Sequence, residues 1–299
     1  MRYLGFRRPG RLGTVLAVPA LVVAALLAGL ALTRGTAPPV TTPPTTVPST
    51  RSPSAPPPSG DAVEAVPEAA PAPDDLPVVD YDPAPAGFPA DPDTMEVTPL
   101  TEGLRPTRRL AAYDAPGGRP LAFLDPTIRG VELTLPVAQR RTGWVAVLLP
   151  SANRRLAWLP AGGWTTTDLR DQIVVERRAH RLTWYRDGVA RRSWPVSLGR
   201  RGQETPLGRT FVLGRTTPTG AVYGGVDIYA LGSIPDDLDA VPASLRGAHI
   251  GIHSWHHDGE LGRSTTNGCV RLTRSAQRLL LAEVPPGSPV VVVDTLSAA

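Results

Sequence analysis

The chain contains a single cysteine, Cys269, and no lysine, since all 31 of its basic residues are arginine. One cysteine cannot form a disulfide within its own chain, so disulfide pairing does not explain Cys269. The bias towards arginine is typical of a GC-rich genome and indicates nothing about mechanism. Histidine is also scarce, yet four of the five histidines lie in or just before the segment that holds Cys269. That segment therefore concentrates the groups capable of nucleophilic or metal chemistry.

Charge is unevenly distributed along the 299 residues. Residues 36–99 carry ten acidic residues and one arginine, whereas residues 100–299 carry 25 arginines and 17 acidic residues. A basic folded part is attracted to anionic polymers. The sequence lacks a basic motif interleaved with aromatic residues, so we expect no nucleic-acid partner. A cell wall rich in carboxylates and phosphates is the partner that the charge favours.

An apolar run extends from Leu12 to Leu32 and follows four arginines. Its length suits a bilayer span, which takes about 20 residues, and the preceding arginines predict export of everything after it. We assign residues 1–35 to a membrane anchor or a signal peptide; both remain open, because no clean Ala-x-Ala ends the run. A lipid-modified cysteine is excluded, because no cysteine occurs before Cys269. We expect a location on the extracytoplasmic face of the membrane, anchored by residues 12–32, or secretion if the segment is cleaved.

Two further regions precede the cysteine segment. Residues 36–99 are predicted to be a disordered linker, because 17 of the 35 prolines fall within residues 36–92 and such a segment cannot bury a core. Residues 100–167 show short strand patterns with frequent turns, which predict a small β-barrel. Its Trp-containing strands resemble bacterial SH3-like domains found beside wall enzymes. Trp144, Trp158 and Trp164 could form a wall-binding surface, but we favour places in the core.

Residues 171–296 are predicted to form a second, mainly β domain. Asp187-Gly188 is a strong signal for a hairpin turn between two strands. One helix is expected from Arg274 to Glu283, with Thr273 as its N-cap. A final buried strand is expected from Pro289 to Asp294.

The segment from Ile250 to Leu272 reads IGIHSWHHDGELGRSTTNGCVRL. The glycine before Cys269 lets the backbone turn sharply, so that the sulfur can face a cleft, and an earlier histidine could accept its proton. From spacing alone, a small buried structural cysteine is as good an explanation. If residues 248–253 form a strand, Ile250 and Ile252 face the core and His253 faces the other side.

A known family shares this pattern. Fifteen residues separate His253 from Cys269, which lies in the motif Thr266-x-Gly268-Cys269-x-Arg271; this pattern resembles the signature of the L,D-transpeptidase (YkuD-type) catalytic domain. The segment Thr205–Gly208 and the Tyr-Gly pair at Tyr223 resemble other elements of the family. The resemblance implies a β-sandwich-like catalytic fold over residues 171–296, with one C-terminal helix.

The resemblance also implies roles for single residues. Cys269 would be the nucleophile and His253 its base, with the main-chain carbonyl of Ser254 orienting the imidazole. We expect an accessible Cys269 thiol of low pKa, with electropositive help from His253 and Arg271. No cofactor and no metal are implied. The backbone N–H groups of Gly268 and Cys269 are candidates for the oxyanion hole, with Ser254, Thr266 and Asn267 as its support. The candidates for substrate binding are Arg271 and Tyr223.

The implied reaction joins two peptidoglycan stem peptides, a donor and an acceptor. Cys269 would attack the carbonyl of the third residue of a tetrapeptide stem, D-Ala would leave, and an amine of the second stem would complete a 3→3 crosslink. Water as acceptor would make the protein an L,D-carboxypeptidase. Carbapenems would acylate the same thiol. Arg271 could hold a substrate carboxylate or form a structural ion pair.

Two other functions are alternatives to the L,D-transpeptidase hypothesis. Zinc binding has enough possible ligands, but the sequence has no His-Glu-x-x-His motif. A non-catalytic wall-binding protein is the second alternative, and the presence of both His253 and Cys269 argues against it. The possible zinc ligands are His249, His253, His256, His257, Asp258, Glu260 and Cys269.

Overall fold

The computed structural model describes residues 65–82, 84–151, 154–218, 220–232 and 250–296. The predicted anchor at residues 12–32, the start of the predicted linker and His249 lie outside them. No helix of the described part is long and apolar enough to cross a membrane. The described chain is mainly β, with one α-helix, as predicted.

The first sheet is built from residues 102–168. Its region contains β1 (Glu102–Pro106), β2 (Leu110–Tyr113), β3 (Pro120–Leu124), β4 (Thr127–Ile128), β5 (Val131–Glu132), β6 (Leu135–Arg141), β7 (Trp144–Leu148), β8 (Leu156–Pro160) and β9 (Trp164–Asp168). Seven of these described strands pair antiparallel in the order β3-β2-β8-β7-β6-β1-β9, and β4 pairs with β5. Trp144 and Trp158 are buried, which confirms their predicted places in the core. Likeness to an SH3 domain stays a prediction.

The second sheet is built from residues 171–293. Its region contains β10 (Asp171–Glu176), β11 (Arg181–Arg186), β12 (Val189–Pro195), β13 (Leu198–Gly199), β14 (Gly208–Thr216), β15 (Ile228–Leu231), β16 (Gly251–Ser254), β17 (Ser264–Thr266), β18 (Val270–Leu272), α1 (Arg274–Glu283) and β19 (Pro289–Val293). Eight of these described strands form the sheet β12-β11-β10-β19-β14-β15-β16-β18, and β13 pairs with β17. The pairs β10–β19 and β16–β18 are parallel.

Local sequence signals account for several of these elements. Asp187 and Gly188 both have positive φ, +54° and +73°, as the predicted two-residue hairpin between β11 and β12 requires. The Thr273 hydroxyl accepts the N–H of Ala276 and caps α1, also as predicted. The side-chain amide of Gln277 donates to the carbonyl of Ile252, which attaches α1 directly to β16.

The segment before β1 differs from the prediction of a disordered linker up to residue 99. From residue 67 onwards it lies against the two sheets, where Tyr81 and Phe88 are buried. Trp144 donates its indole N–H to the carbonyl of Pro67, and the N–H of Val79 donates to the carbonyl of Phe123 in β3. The proline content correctly indicates a segment with no core of its own. The segment is ordered nonetheless, because it uses the core of the folded sheets.

A buried ion pair fixes this segment to the second sheet. Both nitrogens on one edge of the Arg209 guanidinium donate to the Asp91 carboxylate at 2.6 Å, and both side chains are almost fully buried. The backbone N–H of Arg209 donates to the carbonyl of Thr94 as well. The neighbouring Asp93 lies 3.7 Å from Arg209 but is half exposed. The buried contact therefore belongs to Asp91.

We expect Asp91→Asn to lower the free energy of unfolding by about 3 kcal/mol, because it leaves the Arg209 charge buried without its partner. Urea unfolding followed by circular dichroism measures the change. Asp93→Asn is the matched control and should cost no more than about 0.5 kcal/mol, since its carboxylate is solvated. Equal losses in the two variants would contradict the assignment.

Candidate active site

The pairing of β16 with β18 brings the two predicted catalytic residues onto neighbouring strands. Ile252 is opposite Val270 and His253 is opposite Arg271. Ile252 and Val270 are fully buried on the core face. Because side chains alternate along a strand, His253, Arg271 and the adjoining Cys269 lie on the other face. The predicted orientation of β16 is confirmed.

A tight turn presents Cys269. The Thr266 hydroxyl accepts the N–H of Gly268 at 3.1 Å and donates to the carbonyl of Cys269 at 2.7 Å. Gly268 has a φ of +111°, which side-chain-bearing residues rarely adopt. Thr266 thus closes the turn, in line with its predicted supporting place. Asn267 is half-buried, and within the described residues its side chain makes no hydrogen bond.

This turn changes one prediction about the oxyanion hole. The N–H of Gly268 is already bonded to Thr266, so it does not point freely at a substrate oxygen. The sequence could not show this, because the motif gives residue types and no bond directions. The N–H of Cys269 is the remaining backbone candidate of the predicted pair.

The imidazole of His253 is oriented by its own neighbour. Its Nδ1 lies 2.8 Å from the carbonyl oxygen of Ser254, so Nδ1 carries the proton and Nε2 is left as the acceptor. Burial lowers the pKa of His253 to about 4, and the positive charge of Arg271 also lowers it, whereas the Ser254 bond raises it. His253 is therefore neutral at pH 7 and able to accept a proton.

Tyr223 holds His253 from the side. It ends a 3₁₀ turn at Ala221–Tyr223, and its ring meets the His253 ring edge-on at 5.1 Å between centroids. The Ser254 hydroxyl donates to the Tyr223 carbonyl at 2.9 Å. Ser254 thus supports the base through both its carbonyl and its hydroxyl. The structure places Tyr223 beside the base, and its role in binding substrate stays a prediction.

The thiol of Cys269 differs from the predicted one of low pKa. Burial raises its pKa above the ordinary value for a cysteine, while a backbone hydrogen bond from Gly251 and the charge of Arg271 lower it less. Cys269 is half-buried. Position 251 requires glycine, because a Cβ there would lie 2.8 Å from the Tyr229 carbonyl oxygen. At rest the thiol and the imidazole are therefore both neutral.

Arg271 forms the structural ion pair that the sequence left open. Its Nη1 donates to Glu260 at 2.8 Å, and its guanidinium stacks 3.8 Å from the centre of the Trp255 ring. Its Nε is buried without a hydrogen-bond partner among the described residues. Glu260 is held in turn by the Thr265 hydroxyl. The motif gives no sign of Glu260 as a partner of Arg271, because Glu260 lies eleven positions before Arg271 in the loop between β16 and β17.

Tyr81 is a second residue that sequence reasoning missed. It comes from the segment before β1, is buried, and accepts a hydrogen bond from the N–H of Ile250 at the start of β16. Burial raises the pKa of Tyr81, and the nearby Cys269 adds to that rise. The only available signal was an aromatic residue after the apolar pair Val78-Val79 in a Pro-rich region.

The described residues contain no cluster of three or more His, Cys, Asp or Glu side chains suited to a metal ion. His256 and His257 are exposed on the loop after β16. His249, another possible ligand, lies outside the described residues.

Comparisons with known proteins agree with the predicted catalytic domain. Residues 170–292 match the family model of the YkuD L,D-transpeptidase catalytic domain. The YkuD protein of Bacillus subtilis (strain 168), which carries the name of an L,D-transpeptidase, is 24% identical over 120 residues. That alignment covers 40% of this chain and 64% of the relative, so the chain spans less than two thirds of that protein.

Two solved structures illustrate the similarity. An L,D-transpeptidase from Mycobacterium smegmatis matches with a TM-score of 0.35 and 17% identity, over 53% of this chain and 82% of that chain. L,D-transpeptidase 3 from Mycobacterium tuberculosis, in complex with a faropenem-derived adduct, matches with a TM-score of 0.34 and 18% identity, over 47% and 74% of the two chains.

We expect the ultraviolet absorbance of the Cys269 thiolate to appear only above about pH 9, because burial raises the pKa of this thiol. Cys269→Ala provides the blank, and the difference is unambiguous since the chain has one cysteine. Arg271→Gln should move the titration to higher pH, whereas Arg263→Gln, an exposed residue, should leave it unchanged. Thiolate absorbance at pH 7 would show that the resting thiol is ionised.

Proposed function

We propose that this protein is a peptidoglycan L,D-transpeptidase that forms 3→3 crosslinks, with Cys269 as nucleophile and His253 as base. The observation that carries the proposal is the placement of His253. The Ser254 carbonyl fixes its imidazole, and its strand β16 pairs with β18, which begins directly after Cys269. The match of residues 170–292 to the YkuD catalytic domain supports the substrate class.

The first half-reaction makes an acyl-enzyme. The sulfur of Cys269 attacks the carbonyl of the third stem residue while Nε2 of His253 takes the thiol proton. A C–S bond forms and the C–N bond to D-Ala breaks. His253 returns the proton to the departing amine of D-Ala, which leaves a thioester on Cys269. Because the thiol is neutral at rest, removal of its proton has to accompany the attack, which makes the neutral His253 essential.

The second half-reaction passes the acyl group to an amine. The side-chain amine of an acceptor stem attacks the thioester and loses a proton to His253, and the new amide bond replaces the C–S bond. The proton then returns to the sulfur as the thiol leaves. The N–H of Cys269 is the proposed donor to the oxyanion in both steps. Water in place of the amine would give the carboxypeptidase reaction.

We expect Cys269→Ala to abolish product formation from a disaccharide-tetrapeptide, because it removes the attacking atom. His253→Ala should slow acylation by at least about a hundredfold, the usual contribution of a general base. Mass spectrometry of the products separates a crosslinked dimer from a hydrolysed tripeptide. Crosslinking retained by Cys269→Ala would overturn the mechanism.

Acylation by a carbapenem tests the Cys269 nucleophile without requiring an acceptor amine. The strained amide of the carbapenem should acylate Cys269 without any amine, so an adduct should appear on the intact wild-type protein and be absent from Cys269→Ala. An adduct without crosslinking would show a working nucleophile with the wrong acceptor. No adduct on folded wild-type protein would contradict the proposal and favour a wall-binding protein.

We also propose that the folded part works outside the cytoplasm, anchored by residues 12–32 or released after cleavage. Stem peptides of the assembled wall lie outside the membrane, and the arginines before the apolar run predict this orientation. The described residues do not include this segment.

A reporter that is active only outside the cytoplasm should work when fused after residue 299. The same fusion without residues 1–35 is the control and should be inactive, because the proposed export signal is gone. Activity only with a cytoplasmic reporter would contradict both the orientation and the wall substrate.

A further inference from the structure

A cavity adjoins the turn that carries Cys269. It has a volume of about 450 Å³, and we call it the arginine pocket after the side chains that dominate its lining. The residues that matter for its chemistry are Arg177, Arg178, Arg201, Glu204, Ser264 and Asp294.

Two of the three arginines in this pocket have no ion-pair partner. Arg177 lies 3.5 Å from Asp294, which offsets its charge. Arg178 and Arg201 are exposed, and neither side chain forms an ion pair or hydrogen bond within the described chain. The three arginines outnumber the two acids of the lining, Glu204 and Asp294, so the pocket has a net positive charge.

The one remaining acid does not cancel this charge. The carboxylate of Glu204 accepts the backbone N–H of Gly202 at 3.0 Å, and this bond is the main reason that the pKa of Glu204 lies below its usual value. The charges of Arg177 and Arg201 lower that pKa further. Glu204 is therefore ionised and offsets part of the charge of Arg201, but it is bonded to its own loop and forms no ion pair with Arg178 or Arg201.

The pocket and the thiol share one wall. The loop of residues 200–205 lines the pocket, and its Arg200 N–H donates to the carbonyl of Thr266 at 2.9 Å. The carbonyl of Glu204 also lies 3.8 Å from the position that a Cβ on Gly268 would occupy.

A peptide that reacts at Cys269 lies close to this pocket, because Glu204 of the pocket lining packs against Gly268, the residue before Cys269. A tetrapeptide spans at most about 14 Å when extended, and a stem carries carboxylates along that length. A guanidinium group binds a carboxylate with paired, charge-assisted hydrogen bonds. Resting on the proposed function, we propose that the arginine pocket binds a carboxylate of a peptidoglycan stem peptide through Arg178 and Arg201.

The test measures binding of a free tetrapeptide stem by calorimetry, in full-length protein that carries Cys269→Ala to prevent turnover. Adding Arg178→Gln and Arg201→Gln should weaken binding about tenfold. Arg191→Gln with Arg192→Gln is the matched control: it removes the same charge from exposed positions on β12, outside the pocket, and should change affinity less than about twofold.

A second ligand identifies the group that is recognised. A stem with its carboxylates converted to amides should bind the unmodified pocket about tenfold more weakly, and the pocket substitutions should then have no further effect. Equal losses in pocket and control variants would show general charge attraction and overturn the proposal. The proposal would also fail if the pocket substitutions weakened binding of a glycerol-phosphate oligomer but not of the stem. The anion that the pocket binds would then be a phosphate of a wall polymer.

The same variants separate this proposal from the proposed function. Carbapenem acylation of Cys269 should occur in the chain without substitutions and in the Arg191→Gln, Arg192→Gln control, because neither alters the thiol or the pocket. Absence of an adduct in every chain with an intact thiol would refute the transpeptidase. Normal acylation with unchanged stem affinity would refute only the pocket.

Discussion

The parallel pairing of β16 with β18 is the constraint on which the candidate site depends. It sets His253 opposite Arg271 and carries the adjoining Cys269 to the same face, while Ile252 and Val270 fill the core behind them. A shift of one residue in this register would turn His253 into the core and an isoleucine towards the cleft. The rest of the domain holds the register: α1 bonds to β16 through Gln277, and the buried residues of both strands leave one alignment that satisfies the core.

Burial determines the electrostatics of the pair once the register is set. Removing a thiol and an imidazole from water disfavours both charged forms, so the pKa of Cys269 rises and that of His253 falls to about 4. Arg271 acts on the two groups in opposite ways, because its charge favours a thiolate and disfavours an imidazolium. The charge of Arg271 is balanced by the ion pair with Glu260, and its guanidinium stacks on the Trp255 ring. The arrangement therefore combines an imidazole that can accept a proton with a thiol that is protonated at rest.

Much of this could be predicted from the sequence, for identifiable reasons. The Asp187-Gly188 turn and the Thr273 cap are local rules, because each depends on a few adjacent residues. The alternation around His253 depends only on strand period. Partners distant in sequence, such as Glu260 for Arg271 or Asp91 for Arg209, depend on how loops pack, and no spacing rule reports them. The low pKa predicted for Cys269 is wrong for the same reason, since burial is a property of the assembled site and cannot be predicted from a motif.

The segment before β1 shows how composition can mislead about order. Its prolines and small residues give it no core of its own, yet Tyr81 reaches the start of β16 and Asp91 neutralises the buried Arg209. Residues 170–292, the part that matches the catalytic family, therefore do not contain all the contacts that stabilise them. A chain cut at residue 170 would leave Arg209 without its carboxylate and the N–H of Ile250 without the Tyr81 hydroxyl. The physical unit that supports the candidate site extends back at least to Tyr81, even though the candidate catalytic residues lie within residues 250–272.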